Sequence, residues 1–307
     1  MSPLNDLTQL LRLQVSIYHN ARVCGDWKIA SGEQISGKTC FHMATQGGCL
    51  LSVPGYDNWV LAEGDLVIFP REIAHSMVSQ QPQQGTQQHL VISQSQNTPG
   101  TSMLCGEITF ANPGFQVLLD ALPEVFVIQR DASTPWLTEL LNLILAESLS
   151  SETPSNPLLD KLCELLFAYG LRHFIEHQHR GIGIVALFTH PRVARAVSAI
   201  HAEPGREWGL LNLAEEAQMS RTQFAQTFKQ LSGWTAMQYL TWWRMQIAWS
   251  YLEAGEHLAT VAEKVGYRSE SAFSRAFQKS HGTSAGAVRR GRQTEEKKVE
   301  QNKNMGS

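Results

Sequence analysis

"FAQTFKQLSGWTA", Phe224–Ala236, and "FSRAFQKSHGTSA", Phe273–Ala285, share one pattern, F-x3-F-x4-G-x2-A, repeated at an interval of 49 positions. In each copy the two phenylalanines are spaced i, i+4, which puts them on one face of a helix. Ahead of the first copy, "LNLAEEAQMSRTQ" reads as a short helix through Ala214 and Ala217, then a tight turn near Gln218 and Met219. Ser220 follows as N-cap of a second helix, and Gln223 completes an S-x-x-Q capping box. Ahead of the second copy, "LATVAEKVGYRSESA" gives a short helix to Val265, Gly266 suited to positive φ, and a second helix starting near Ser269. Two helices joined by a three- or four-residue turn predict a helix-turn-helix, and this chain has two.

Burying the phenylalanines leaves Arg221, Thr222, Gln223 and Gln226 outward in one unit, and Ser269, Glu270, Ser271, Ser274 and Arg275 in the other. Short polar side chains, Arg and Gln are the types that read base edges in a major groove. Lys229, Arg268, Lys279 and the run "RRGR" at Arg289–Arg292 are suited to phosphates, which position a protein without specifying sequence. Between the units, "AMQYLTWWRMQIAWSYL" has no Gly or Pro and predicts a rigid helix that spaces the two reading heads. The expected partner is double-stranded DNA.

At 307 residues and 43% hydrophobic composition the chain is long enough for two packed cores. Residues 1–190 hold nine Lys and Arg against seventeen Asp and Glu, a net of −8, whereas residues 191–292 carry +5. Only the basic segment is matched to nucleic acid. The apolar runs fall well short of the roughly 18 residues a membrane span needs, so no membrane partner is expected. No signal peptide is evident either, and the expected location is the cytoplasm. Five cysteines without regular spacing argue against a secreted disulfide framework.

From Trp27 to about Phe110 short apolar or alternating runs alternate with turn signals, which predicts an antiparallel barrel or sandwich. From Trp136 the pattern is helical. Leu137, Leu140, Leu141, Ile144 and Leu145 form one apolar face; Leu158, Leu162, Leu165, Leu166, Tyr169 and Phe174 form another, suited either to capping the barrel or to a dimer seam. The expected fold class is α+β in two domains. Residues 1–135 are expected to form a barrel, 136–190 a helical connector suited to dimerisation, 191–292 an all-α double helix-turn-helix, and 293–307 a polar tail.

The segment from Pro191 to Arg292 resembles the AraC/XylS transcription regulators, most closely at "LAEEAQMSRTQFAQTFKQLSG", "YLTWWRMQIA" and "VGYRSESAFSRAFQKSHGTSAGAVRR". It departs from them at Gln218, where Gly is usual, and at Ala236 and Ala285, where Pro is common. "GDLVIFPREIAH", Gly64–His75, and "FHMATQGGCLLSV" resemble the two cupin motifs. "CGDW", "TQGG" and "LCGE" in that order resemble the reactive-chlorine-sensing activators of the family. The resemblance implies a cupin-like β-barrel that receives a signal, a homodimer, and contact with RNA polymerase if the protein activates. Two triggers stay open: cysteine oxidation, with Cys24 and Cys105 as the candidate pair, or a small effector in the barrel. Cys24 has Arg22 nearby to favour its thiolate, and both cysteines precede Gly at strand or turn edges where access is expected. A metal-dependent cupin enzyme fused to a DNA-binding domain is the alternative. It needs three or four convergent ligands, and only His42 and His75, with His89 at a distance, are on offer. The expectation is therefore a non-enzymatic regulator with no cofactor.

Overall fold

The computed structural model describes residues 3–30, 38–71, 73–81, 84–95, 97–150, 157–177 and 183–291. The expected polar tail, Arg292 and Glu72 lie outside the described residues. The chain forms two compact units that cut across sequence order: one holds residues 13–111 and 122–177, the other holds 3–12, 112–121 and 183–291. These boundaries differ from the expected 1–135 sensor and 136–190 connector. The helices Pro135–Ser150 and Pro157–His177 belong with the sheets, and two early segments, 3–12 and 112–121, belong with the C-terminal helices.

The first unit is built from β1 Leu13–Cys24, β2 Lys28–Ala30, β3 Thr39–Gln46, β4 Cys49–Ser52, β5 Trp59–Leu61, β6 Leu66–Phe69, β7 Ser76–Ser79, β8 Gln88–Leu90, β9 Thr101–Phe110 and β10 Phe126–Ile128. They make two antiparallel sheets, β10-β6-β3-β9-β1-β8 and β2-β7-β4-β5. Between the sheets Val23, Cys40, Ala44, Met103 and Cys105 meet Trp27, Leu51, Leu61 and Met77 in one apolar cluster. The other face of the larger sheet is covered by helices from Pro135–Ser150 and Pro157–His177. Phe167 packs edge-on to Phe110, Phe174 packs against Phe126, and Asn20 Nδ2 donates to Ser148 Oγ at 3.2 Å.

Strand structure starts at Leu13, well before the Trp27 expected from sequence. A register shift in β1 between Ile17 and His19 hides it. Before the shift the odd residues Val15 and Ile17 lie opposite Ile108 and Gly106; after it His19, Ala21 and Val23 lie opposite Cys105, Met103 and Thr101. A bulge reverses which face each residue takes, so no single period-2 pattern spans the strand. The Pro157–His177 helix also departs from expectation. It buries Leu159, Cys163, Leu166, Phe167, Gly170 and Leu171, leaving Leu158 and Leu165 exposed.

The helices, in chain order, are α1 Pro3–Leu10, α2 Gln116–Asp120, α3 Pro135–Ser150, α4 Pro157–His177, α5 Ala186–Thr189, α6 Val193–Ala202, α7 Leu210–Glu216, α8 Arg221–Ser232, α9 Ala236–Glu253, α10 Leu258–Lys264 and α11 Glu270–His281. In the C-terminal unit α7–α8 and α10–α11 are the two helix-turn-helices, and α9 joins them. Phe224, Phe228, Phe273 and Phe277 are fully buried. Each contributes about 2–3 kcal/mol through burial, which holds the two second helices in place. Ser220 Oγ accepts from Gln223 N and Ser269 Oγ from Ala272 N, and Gly233 and Gly282 close the helices with φ of 75° and 69°. Ser220 caps as expected, but the complete two-way capping box forms at Thr235 and Gln238, at the start of α9.

The two turns close in the same way. Tyr267 N donates to the Ala262 carbonyl across Gly266, and Met219 N donates to the Ala214 carbonyl across Gln218. Gly266 has φ 75° at no steric cost, whereas Gln218 is held at φ 53° with its side chain exposed. Gln218→Gly is therefore expected to stabilise this unit by about 1 kcal/mol, read as a higher urea midpoint with unchanged m-value. An unchanged or lower midpoint would show that the turn carries no strain.

Candidate nucleic-acid interface and sensor core

α8 and α11 present the residues that the sequence assigned to DNA. Arg221, Thr222, Gln223, Gln226 and Lys229 are exposed on α8; Arg268, Ser269, Glu270, Ser271, Arg275 and Lys279 are exposed at or on α11, and Ser274 is half-buried. Ser269 is engaged as the N-cap of α11, so its hydroxyl serves the helix before any base. Arg268 Nη2 donates to Glu207 Oε1 at 3.0 Å, with both side chains almost fully exposed. Such a pair is worth little and leaves the guanidinium available to a phosphate. Beside α11 lies a groove of about 450 Å³ whose lining includes His257, Glu270, Arg289 and Arg290. The two arginines extend the cationic face, and Glu270 restricts where an anion fits.

The interior of the first unit has its own polar feature. Cys105 lies opposite His19 on β1 and opposite His42 on β3, so one row across three strands reads His19, Cys105, His42. His42 Nε2 meets His75 Nε2 at 2.9 Å, and His75 Nδ1 donates to the Ile73 carbonyl at 2.7 Å. In the neutral pair His75 Nε2 must then accept from His42 Nε2–H, which leaves His42 Nδ1 as a bare lone pair. Neither that nitrogen nor His19 Nε2 has a partner among the described residues. Burial above all, then His75 and His19, holds His42 down to about 3. Burial and His89 hold His19 to about 4.

All five cysteines are buried, so the accessible strand edges expected for Cys24 and Cys105 are not found. Cys24 is paired with Gln88 at the far end of β1, beyond Val23↔Thr101, whereas Cys105 pairs with His19. At about 3.3 Å per residue the two lie roughly 16 Å apart along the ladder. A disulfide needs Cα atoms within about 7 Å, so these two cannot bond while the ladder is intact. Cys105 instead shares the interior with Cys40 and Cys49. Burial first, then Cys49 and Cys40, pushes its thiol well above the ordinary range. Cys49 is pushed up to about 12 by burial and Asp65. The two metal candidates His42 and His75 do come together, while His89 pairs with Gln87 and His19. No group of three ligating side chains that could hold a metal occurs among the described residues, and no described helix is long and apolar enough to cross a membrane.

Residues 2–176 match the cupin family model, and residues 213–291 match the helix-turn-helix domain model. The chain is a cupin-bearing AraC-type transcription regulator. Similar proteins include the RCS-specific HTH-type transcriptional activator RclR of Escherichia coli (strain K12), 29% identical over 294 residues, covering 94% of this chain and 97% of the relative. An HTH-type transcriptional regulator of Haemophilus influenzae is 29% identical, covering 91% and 95%. An AraC-like transcription regulator of Streptomyces lividans is 27% identical, covering 94% and 98%. This regulator is thus a DNA-binding protein rather than an enzyme. The interior row was missed from sequence because His19 lies before the point where strands were expected.

On operator DNA, Gln223→Ala and Arg275→Ala should each cost about 1–3 kcal/mol and relax sequence preference. Lys229→Ala and Lys279→Ala should weaken binding uniformly across sequences and lower the salt slope by about one each. Fluorescence anisotropy on matched and scrambled duplexes at several salt concentrations separates the two groups. Acid offers a second test, because the native first unit stays neutral at His42 and His19 where the unfolded chain takes up protons below its ordinary 6.5. Stability is full above that pH and falls on acidification towards 4, since the unfolded state then binds more protons. The urea midpoint should drop between pH 7.5 and 5, and His42→Gln should make that drop shallower.

Proposed function

We propose that this regulator is an activator that receives an oxidant signal at Cys105. The supporting observation is the row His19, Cys105, His42, with two further thiols, Cys40 and Cys49, in the same interior cluster. The buried thiol is protonated and the imidazoles of His19 and His42 across the ladder are neutral, so the oxidant that reaches Cys105 is small and uncharged. A small oxidant such as hypochlorous acid would convert Cys105 to a sulfenic acid, releasing chloride and a proton. Condensation with the thiol of Cys49 or Cys40 would then form a disulfide and release water, once the strands shift enough to bring the two Cα atoms within about 7 Å. This replaces Cys24 as the second thiol. The name of the RclR relative, an RCS-specific activator, agrees with such a signal.

The same reading makes the regulator a homodimer joined through α4. Leu158, Leu162 and Leu165 recur at i, i+4 and i+7 on the outward side of α4, with Leu158 and Leu165 among the most exposed large apolar residues. A second copy covers such a stripe with a matching one. DNA-bound dimers then recruit RNA polymerase.

In a promoter-reporter assay under hypochlorite, Cys105→Ser is expected to abolish induction while DNA binding persists, and Cys24→Ser is expected to retain it. Full induction in Cys105→Ser would overturn the thiol reading, and loss in Cys24→Ser alone would move the sensing site to the β1 edge. The double variant Leu158→Glu/Leu165→Glu should sediment as a monomer, whereas an unchanged sedimentation coefficient would place the dimer contact elsewhere.

A further inference from the structure

β1 and β9 pair along their length, and the terminal pair Leu13↔Phe110 lies directly beside the points where the chain passes into the C-terminal unit, at Arg12 and Asn112. The same helix holds the chain at each of these crossings. On the β1 side, Arg12 Nη1 donates to Glu253 Oε2 at 3.1 Å in the last turn of α9. On the β9 side, Asn112 Nδ2 donates to Gln246 Oε1 at 2.9 Å, and Trp242 Nε1 donates to the Gly114 carbonyl at 3.0 Å. Gln246 Nε2 completes the set by donating to the Trp242 carbonyl at 3.1 Å.

This joint is costly to build as mere packing. Gln246 is 0% exposed and Asn112 4%, in a helix whose other buried residues are almost all apolar or aromatic. An apolar residue would bury at lower cost than an amide. A satisfied amide pair accepts one arrangement only, because any slip leaves a buried donor or acceptor unmade at about 1–3 kcal/mol. Gly114 adds to the restriction: a Cβ there would run into the Gln246 side-chain amide. Asn112 Oδ1 also accepts from Gly114 N at 2.9 Å, so one side chain both shapes the segment and docks it. A slip of this segment against α9 therefore leaves at least one of these buried polar groups unpaired.

We propose that the Asn112–Gln246 pair and the Gly114–Trp242 bond form the transmission joint through which the N-terminal unit sets DNA affinity. β9 carries Cys105, and five residues after that cysteine it reaches its end and passes into the joint. α9 in turn fixes the distance between α8 and α11, the two helices that meet DNA. A change in the register or strain of β1 and β9 reaches the reading heads by shifting α9. Asn112, Trp242 and Gln246 are positioning residues: they touch neither DNA nor oxidant. The inference rests on the DNA-binding reading and not on the identity of the signal.

Coupling is reciprocal, so DNA held by α8 and α11 must alter β9 if β9 alters DNA affinity. The test is hydrogen exchange of the full-length protein with and without a duplex selected from a random-sequence pool, with occupancy checked by anisotropy. In the wild type, exchange of the β9 amides should change about fivefold or more on DNA binding, the lower end of ordinary allosteric coupling. In Gln246→Leu, which roughly keeps volume but removes the amide, and in Trp242→Phe, which keeps an aromatic ring but removes the indole donor and part of its bulk, that change should fall by more than half at equal occupancy. β9 exchange indifferent to DNA in the wild type would overturn the proposal, as would a full-sized change in both variants. If Gln246→Leu melts far below the wild type, Trp242→Phe decides alone. A failure to bind DNA would appear as absent anisotropy change, separate from bound DNA that leaves β9 unmoved.

Discussion

The β1–β9 ladder, from Leu13↔Phe110 to Val23↔Thr101, places the functional parts of this chain. Its bulge after Ile17 lets one strand serve two cores. Val15 and Ile17 lie on the side covered by α3 and α4, while His19 and Val23 turn to the interior between the sheets. The bulge is what sets His19 beside Cys105 and, through β3, beside His42. At its other end the same ladder hands the chain to the two short segments that α9 holds.

The DNA-binding half follows a simpler rule. Two pairs of phenylalanines at i, i+4 are drawn into the core, and the polar residues between them are left outside. Burial fixes the orientation of α8 and α11, capping by Ser220 and Ser269 fixes where they begin, and α9 fixes their separation. The turn at Gln218 is the strained point of this arrangement. It adopts the backbone conformation that Gly266 adopts freely, because the repeat demands the same turn in both copies.

The interior thiols show how far pattern reading reaches. Sequence marks Cys24 and Cys105 as comparable, each before a glycine and each near a strand end. Pairing separates them: Cys24 stands at the β8 edge, and Cys105 stands in mid-sheet among Cys40, Cys49 and two imidazoles. His42 and His75 were legible as a pair from the cupin-like motifs. The shared proton and the bare nitrogen that results depend on ring orientation, which spacing along the chain does not encode. The same limit explains α4, where every third or fourth residue is apolar on two faces. Hydrophobicity alone does not say which face the sheet takes.

The sequence by itself determined the doubled helix-turn-helix, the joining helix, the exposed polar residues of α8 and α11 and the sheet-rich character of the first half. These are local properties: helical spacing, caps, turn glycines and charge act over a few residues and are written in consecutive letters. Only the tertiary structure decided which thiols share a core, which face of α4 is left exposed, and that residues 3–12 and 112–121 belong with the C-terminal helices. Those outcomes depend on pairing between strands more than eighty residues apart, such as Leu13 with Phe110, and on one buried amide finding another across 134 positions. Sequence supplies the groups that can make such contacts, and the competition to satisfy every buried polar atom selects the ones that form.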